Sequence, residues 1–243
     1  MLINAEIIVP GDLNETQHYA AQHFITLCRD AISDHGSFAV ALSGGSTPKA
    51  IYEILTQPPY SEEIEWEKVH LFWSDERSVA PSNPESNHHM AMKAGFAKVP
   101  LPPAHIHRMV AEHEIEKHAL AYEEKILSVL EDRSFDLVML GMGEDGHTAS
   151  LFPGTKGLED TGRLVVANFV PQKNTWRMTL TFEAINAAHF QVFYVTGKAK
   201  AAMVATVMQP PPTLPCQLVG TDDHPALWIL DKEAASDLLH NSG

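Results

Sequence analysis

The chain is 243 residues long, with 44% hydrophobic and 20% charged residues, enough to bury one substantial core, and a single α/β domain over 1–243 is expected. Its formal net charge of −14 argues against nucleic acid and against an anionic membrane as partners, because both demand basic surface. Cys28 and Cys216 lie outside any Cys-x-x-Cys pair, no apolar run reaches the roughly eighteen residues of a spanning helix, and residues 1–11 lack the regions of a secretory signal; a disulfide framework and a cysteine zinc site are excluded and the cytoplasm is the expected compartment.

Strand-like and helix-like segments alternate along almost the whole chain, the pattern of a mostly parallel sheet with helices on its faces. Residues 3–9 read as an edge strand. Asn14, with Gln17 three residues on, reads as a capping box for a helix reaching His35, where Gly36 stops it. A strand over 38–42 runs into Ser43-Gly44-Gly45-Ser46-Thr47, with Pro48 placed for the first turn of a helix near 51–55. The strand at 69–73 ends in Ser74-Asp75-Glu76-Arg77, and a helix follows over 85–97. Proline-rich 100–103 is a linker and 106–109 a short strand. Residues 112–131 predict a helix, polar on one side and carrying Leu120, Ile126, Leu127 and Leu130 on the other. Strands follow at 137–140, 164–170, 177–181 and 190–195, the last leading into Gly197-Lys198-Ala199-Lys200 and a helix to about Met208. Residues 210–215 form a stiff surface loop, and the chain closes with a strand at 226–230 and a helix from Asp231.

Ligands of open parallel sheets bind at the carboxyl ends of the strands, and four glycine-rich or polar turns fall at such ends. The most informative is Gly141-Met142-Gly143-Glu144-Asp145-Gly146-His147. Its glycines let the chain turn sharply and bring backbone N–H groups near a ligand, and its histidine sits where the turn hands over to a predicted helix. Imidazole suits proton transfer near neutral pH, and a helix N-terminus would disfavour its cation and keep it a base. Asp145 either orients that imidazole or bonds backbone or a ligand hydroxyl. Gly141-x-Gly143-x-x-Gly146 also spells the dinucleotide fingerprint. It falls late in the chain, however, and Glu159 and Asp160 precede the next strand instead of closing it, so no nicotinamide or flavin is expected.

Ser43, Gly44, Gly45, Ser46 and Thr47 offer small hydroxyls, unhindered N–H groups and a helix N-terminus, an anion cradle without the ending of a Walker loop. Asp75-Glu76-Arg77 brings both signs to a strand end. Arg177 offers a bidentate grip on phosphate and Lys200 a point charge at a helix start. Ser150 has no nucleophile elbow around it, which argues against covalent serine catalysis. Of the fourteen histidines, His88, His89, His105, His107, His113 and His118 form no i,i+4 metal pair with a supporting carboxylate motif; they read as surface or loop residues, and no metal site is expected.

In this order, these turns resemble the 6-phosphogluconolactonase family of the glucosamine-6-phosphate isomerase/6-phosphogluconolactonase superfamily, over nearly the whole chain. The resemblance is carried by Leu42-Ser43-Gly44-Gly45-Ser46-Thr47-Pro48, Trp73-Ser74-Asp75-Glu76-Arg77, Ser86-Asn87, the run from Leu140 through Asp145-Gly146-His147 to Leu151-Phe152-Pro153, and Arg177-Met178-Thr179-Leu180-Thr181. It implies an α/β fold with a Rossmann-like, mostly parallel sheet sandwiched between helices and a few additional strands, shared with glucosamine-6-phosphate deaminases and ribose-5-phosphate isomerases. It implies a bound sugar phosphate and no cofactor. Carried over by motif, the family's Asp-Gly-His histidine falls on His147, its phosphate loop on Ser43 to Thr47, and its two arginines on Arg77 and Arg177. By similarity with the wider superfamily, Lys200 is the phosphate lysine, with Lys198 in reserve. The chain departs from many relatives at Val170-Pro171-Gln172-Lys173-Asn174-Thr175-Trp176, which puts the role of Lys173 in doubt.

The resemblance implies hydrolysis of 6-phospho-D-glucono-1,5-lactone to 6-phosphogluconate, with His147 activating water, Asp145 and Arg77 assisting, and Ser43 to Thr47, Asp75, Arg177 and Lys200 holding the substrate. A monomer or weak homo-oligomer is expected. Two other readings are a glucosamine-6-phosphate deaminase and a non-catalytic sugar-phosphate sensor. The deaminase is expected to carry Asp-Glu-Tyr in place of Asp75-Glu76-Arg77 and Asn-Glu-Pro in place of Leu151-Phe152-Pro153; the sensor has no need of a poised base.

Overall fold

The computed structural model describes residues 5–159 and 162–238, so positions 3 and 4 of the expected edge strand, and Asp160, lie outside the described residues. Strand β1 (Ala5–Ile8) leads into helix α1 (Leu13–His35). The capping box is two residues earlier than expected. The Asp12 carboxylate accepts from the Glu15 N–H at 3.0 Å and Glu15 Oε2 accepts from the Asp12 N–H at 2.8 Å, so an Asp/Glu pair satisfies the orphan donors and Asn14 is already helical. Gly36, at φ 88, ends the helix with its N–H on Ile32 O.

Strand β2 (Phe38–Leu42), buried at every residue, precedes helix α2 (Ser46–Leu55), and strand β3 (Val69–Trp73) follows. A single residue, Ser74, then separates β3 from β4 (Asp75–Arg77), a strand where the sequence reads as a charged turn. The Ser74 N–H donates to Leu42 O and its carbonyl accepts from the Leu180 N–H, both at 2.8 Å. Helix α3 (Asn87–Ala94) is shorter than the 85–97 expected, because the Ser86 hydroxyl caps its start and Gly95, at φ 146, ends it. The 106–109 strand reduces to one bridge between Ile106 and Leu71.

Helix α4 (Ile115–Leu130) turns a different face inward from the one predicted: Ala119, Tyr122, Ile126 and Leu130 are buried, whereas Leu120 and Leu127 are 49% and 52% exposed. Tyr122 sets the rotation. Its hydroxyl accepts from the Trp73 N–H at 2.9 Å and donates to His107 O at 3.0 Å, which satisfies a buried phenol and pins the helix. The remaining elements are β5 (Leu137–Leu140), β6 (Val165–Val170), β7 (Thr175–Leu180), α5 (Phe182–Asn186), β8 (Phe190–Val195), α6 (Ala201–Val207) and β9 (Ala226–Leu230). Beyond β9 the expected helix is a series of turns over 232–238, and the rest of it lies outside the described residues.

Six parallel strands form the main sheet in the order β1-β9-β8-β5-β2-β3. From β2 the chain builds outward to β3, then crosses back to lay β5 on the other side of β2 and continues through β8 to β9. The winding therefore reverses between β2 and β5, which pair as Val40 with Leu137 and Ala41 with Val138. A ligand crevice opens outside the carboxyl ends of strands at such a reversal. The second sheet, β4-β7-β6, is antiparallel and brings Arg77 opposite Arg177. It begins at the carboxyl end of β3, so its arginines overhang the same crevice. Among the described residues no helix is long and apolar enough to cross a membrane.

Candidate active site

A cleft of about 480 Å³ lies over the switch between β2 and β5. Its walls include Ser43, Gly44 and Gly45 after β2, Gly141 to Gly143 and His147 after β5, Asp75, Arg77 and Arg177 from the small sheet, and Lys173 and Lys200. A larger hollow of about 570 Å³, between Arg163 and Phe182, has no histidine or lysine in its lining, and Arg163 is already paired with Glu123 at 2.8 Å. The convergence of acid–base and cationic groups is in the first cleft.

The helix expected after His147 is absent. Gly146 at φ 75 and Ala149 at φ 46 turn the chain through left-handed conformations, and Thr148 and Leu151 close a bridge. The imidazole is thus held by neighbours and not by a helix dipole. Its Nδ1 donates to Asp145 Oδ1 at 2.5 Å, and its ring stacks on Phe152 with centroids 3.8 Å apart and planes 18° apart. The His147 carbonyl accepts from the Gly143 N–H at 2.8 Å. Because an ionised carboxylate only accepts, the pair fixes the proton on Nδ1 and leaves Nε2 as the basic nitrogen. Burial pushes the Asp145 carboxyl up, but the bond from His147 and its charge outweigh that and hold it below the ordinary range. Asp145 does not line the cleft; its effect reaches the cleft through His147. Phe152 is a contact that sequence reasoning missed: it sits inside the quoted motif, but nothing in the string shows that the chain folds back to lay it on the imidazole.

Arg77 and Arg177 are cross-strand partners, and the Nε of each is buried with no hydrogen-bond partner. Burial pulls the Arg177 guanidinium down from its ordinary value; Asp75 opposes this, and Arg77 adds to it. Like charges directly opposite on a sheet repel, and here they are left with donors unspent. Arg77 is aimed by its Nη1 on Glu85 O at 2.7 Å. The acids beside it are occupied. Glu76 accepts from the N–H groups of Arg77, Asn87 and His88 and from the Ser86 hydroxyl; burial raises its carboxyl, and these bonds oppose that rise. Asp75 accepts from Ser150 Oγ at 2.6 Å and Asn87 Nδ2 at 3.0 Å. Ser150 is therefore a buried donor to Asp75. A Cβ on Gly44 would lie 2.0 Å from Asn87 Oδ1, so the first glycine of the Gly-Gly pair makes room for this network.

Gly45, at φ 104, starts α2 with no side-chain cap, so the first-turn N–H groups stay open to an anion. Tyr52 holds the loop from behind, accepting from the Ser43 N–H at 3.0 Å and donating to Ser43 O at 2.9 Å. Ser46 and Thr47 do not line the cleft. Thr47 Oγ1 instead meets Thr196 Oγ1 at 2.8 Å and ties the loop after β2 to the loop after β8. Lys200 Nζ, on Met142 O at 2.9 Å, belongs to the cleft; Lys198 points away to Ser236 and Asp237. Lys173, whose role the sequence left in doubt, is brought to the cleft rim by the turn between β6 and β7.

The family model described as glucosamine-6-phosphate isomerases/6-phosphogluconolactonase matches residues 11–228. The 6-phosphogluconolactonase of Aggregatibacter actinomycetemcomitans is 36% identical over 199 residues, 81% of this chain and 85% of that protein. That of Synechocystis sp. is 38% identical over 218 residues, 86% of this chain and 88% of that protein. The structure of 6-phosphogluconolactonase from Trypanosoma cruzi superposes with a TM-score of 0.86 at 29% identity, covering 98% of each chain. With the motif residues gathered at one cleft over the sheet's switch point, the chain belongs to the glucosamine-6-phosphate isomerase/6-phosphogluconolactonase family.

Proposed function

We propose that the protein hydrolyses 6-phospho-D-glucono-1,5-lactone to 6-phosphogluconate, the lactone step of the pentose phosphate pathway, in the cytoplasm. The observation that carries this reading is one imidazole, oriented by Asp145 and stacked on Phe152, at a cleft that Arg77 and Arg177 also line. Four cations line a cleft with only two carboxylates, in a chain of net charge −14, so the local field favours a phosphorylated substrate.

Arg177, Lys200 and the uncapped start of α2 hold the phosphate, and Lys173 closes over it from the rim. Binding fixes the lactone carbonyl beside His147, which removes the entropic cost of finding the reactive geometry. His147 Nε2 takes a proton from the attacking water as the tetrahedral centre forms at C1, then returns it to the ring oxygen as the C1–O bond breaks. The Gly143 and Gly146 N–H groups are already committed to His147 O and Gly143 O. The developing oxyanion is assigned to Arg77, which lines the cleft, or to one of the remaining N–H groups of the loop over 141–146. Arg77, and Leu151-Phe152-Pro153 after the histidine, speak for the lactonase over the deaminase.

The test is acid release from freshly generated lactone, corrected for spontaneous hydrolysis, with native protein and His147→Ala side by side. Acceleration lost in the variant, with turnover falling about 10²–10⁴-fold, supports both reaction and base. Unchanged turnover removes His147 from the mechanism. No acceleration in either, with thermal stabilisation by the product, points to a sensor.

A further inference from the structure

Helix α4 starts from an unusual backbone position. Glu114 has φ 42 and ψ 42, a left-handed conformation that side chains other than glycine rarely adopt, and no side chain caps the helix. The effect is to set the Glu114 carboxylate beside two imidazoles, His113 before it and His118 one turn on. One ligand atom from each of the three lies within 4.8 Å of the others. The sequence hides this grouping, because positions 113, 114 and 118 match no familiar spacing.

His118 is prepared for such a role. Its Nδ1 donates to the His113 carbonyl at 2.8 Å, so the proton is fixed there and the Nε2 lone pair is left over. A backbone carbonyl on the ring nitrogen facing away from the ion is the usual partner of a metal-bound histidine. The two rings meet edge to face, centroids 4.8 Å apart and planes at 86°, so they do not stack face to face.

We propose that His113, Glu114 and His118 bind one divalent ion of the late first transition row, with Zn²⁺ as the natural probe. Two imidazoles and a carboxylate suit zinc with its fourth position left to water, whereas Mg²⁺ and Ca²⁺ prefer all-oxygen shells. Around bonds of about 2.0–2.1 Å the donors must close to roughly 3.3 Å from one another, and His113 and Glu114 are exposed, with no packing core to hold them apart. The Lys117 Nζ, 3.3 Å from Glu114 Oε1, is a surface pair that an ion displaces at little cost. The positive end of the α4 dipole opposes a cation; Glu116 in the first turn and the net charge of −14 offset it. None of the three ligands lines the proposed active-site cleft, so the ion takes no part in hydrolysis.

Glu114 shares a surface hollow with Trp176, which is 39% exposed, while Trp66, Trp73 and Trp228 are buried. A paramagnetic ion at the site should therefore quench mainly Trp176. The experiment titrates the chelator-treated full chain with ZnCl₂ by calorimetry and with NiCl₂ by fluorescence, for native protein, His113→Ala, His118→Ala and Glu114→Gln. The expected result is one zinc per chain, weakened more than about 10-fold in each histidine variant. Nickel quenching should be lost in parallel, MgCl₂ should give no binding, and metal-free hydrolysis should be unchanged. Absence of zinc binding in the native chain overturns the proposal. So does native affinity retained in His113→Ala and His118→Ala, which would assign the ion to others of the fourteen histidines. Melting curves without metal verify the fold, and His113, exposed on the surface, supplies the variant that disturbs it least.

Discussion

Gly143 and His147 are fitted to each other: a Cβ at position 143 would lie 2.0 Å from His147 Nδ1 and 2.8 Å from Asp145 Oδ1. The glycine is required here for close approach, not for a left-handed turn, since its missing side chain is the space in which the Asp145–His147 pair forms. Gly143→Ala should displace the imidazole and cut kcat about 10²-fold or more, the scale of a misplaced catalytic group. Comparing kcat with the melting temperature checks this; a fall in stability with kcat intact would mean that the ring has another place to go.

On the proposed mechanism, Arg177 should separate binding from chemistry. Arg177→Ala removes a charged donor pair worth about 1.5–3 kcal/mol per hydrogen bond, so KM should rise roughly 10- to 100-fold with a smaller change in kcat. Stabilisation of the fold by inorganic phosphate should weaken by a similar factor in this variant. Steady-state kinetics with a phosphate titration read both, and a kcat effect alone would move Arg177 from the phosphate to the reacting centre.

A pair of histidines outside the cleft should make the fold less stable in acid. His70 and His107 face each other with Nδ1 to Nε2 at 3.2 Å, and each is pulled down from 6.5 to about 4, chiefly by burial, with further lowering at His70 from His105 and at His107 from His70. The folded state thus holds them neutral while the unfolded chain takes up protons. Stability from these groups is fully present above pH 6.5 and is lost as pH falls from 6.5 toward 4. Urea midpoints measured across that window should fall with acid in the native protein and fall less in His70→Gln, whose side chain does not titrate. Parallel slopes would place the acid sensitivity elsewhere.

The parallel strands were legible because short apolar runs such as 38–42 and 137–140 are buried on both faces and carry the signal in their composition. The strand Asp75–Arg77 was not, since three consecutive charged residues carry no such signal. Its pairing partner lies about a hundred residues on, and the donors that make burial of Asp75 and Glu76 tolerable come from Ser86, Asn87 and Ser150. The false helix after His147 has a local cause: Ala149 gives no hint in the sequence of its positive φ. The inward face of α4 was misjudged because leucines outweigh a tyrosine in apolar character, yet the tyrosine has two hydrogen-bond partners in the core. Lys173 is reached only through the turn between two strands whose pairing the sequence does not reveal. Ser43 to Gly45, Asp75, Gly141 to His147 and Lys200 were legible because they come after the carboxyl ends of parallel strands, which the topology collects, whereas Arg177 reaches the cleft from within β7.

Ser74 gives the cleft its length scale. The imidazole rides on a loop of the parallel sheet and the arginines ride on the antiparallel one, and this one fully buried residue couples the two sheets, bonded to β2 on one side and β7 on the other. The position of the two arginines relative to the imidazole is thus set where the two sheets meet. A substitution that shifts this junction would move the arginines relative to His147 while leaving the pairing within each sheet intact.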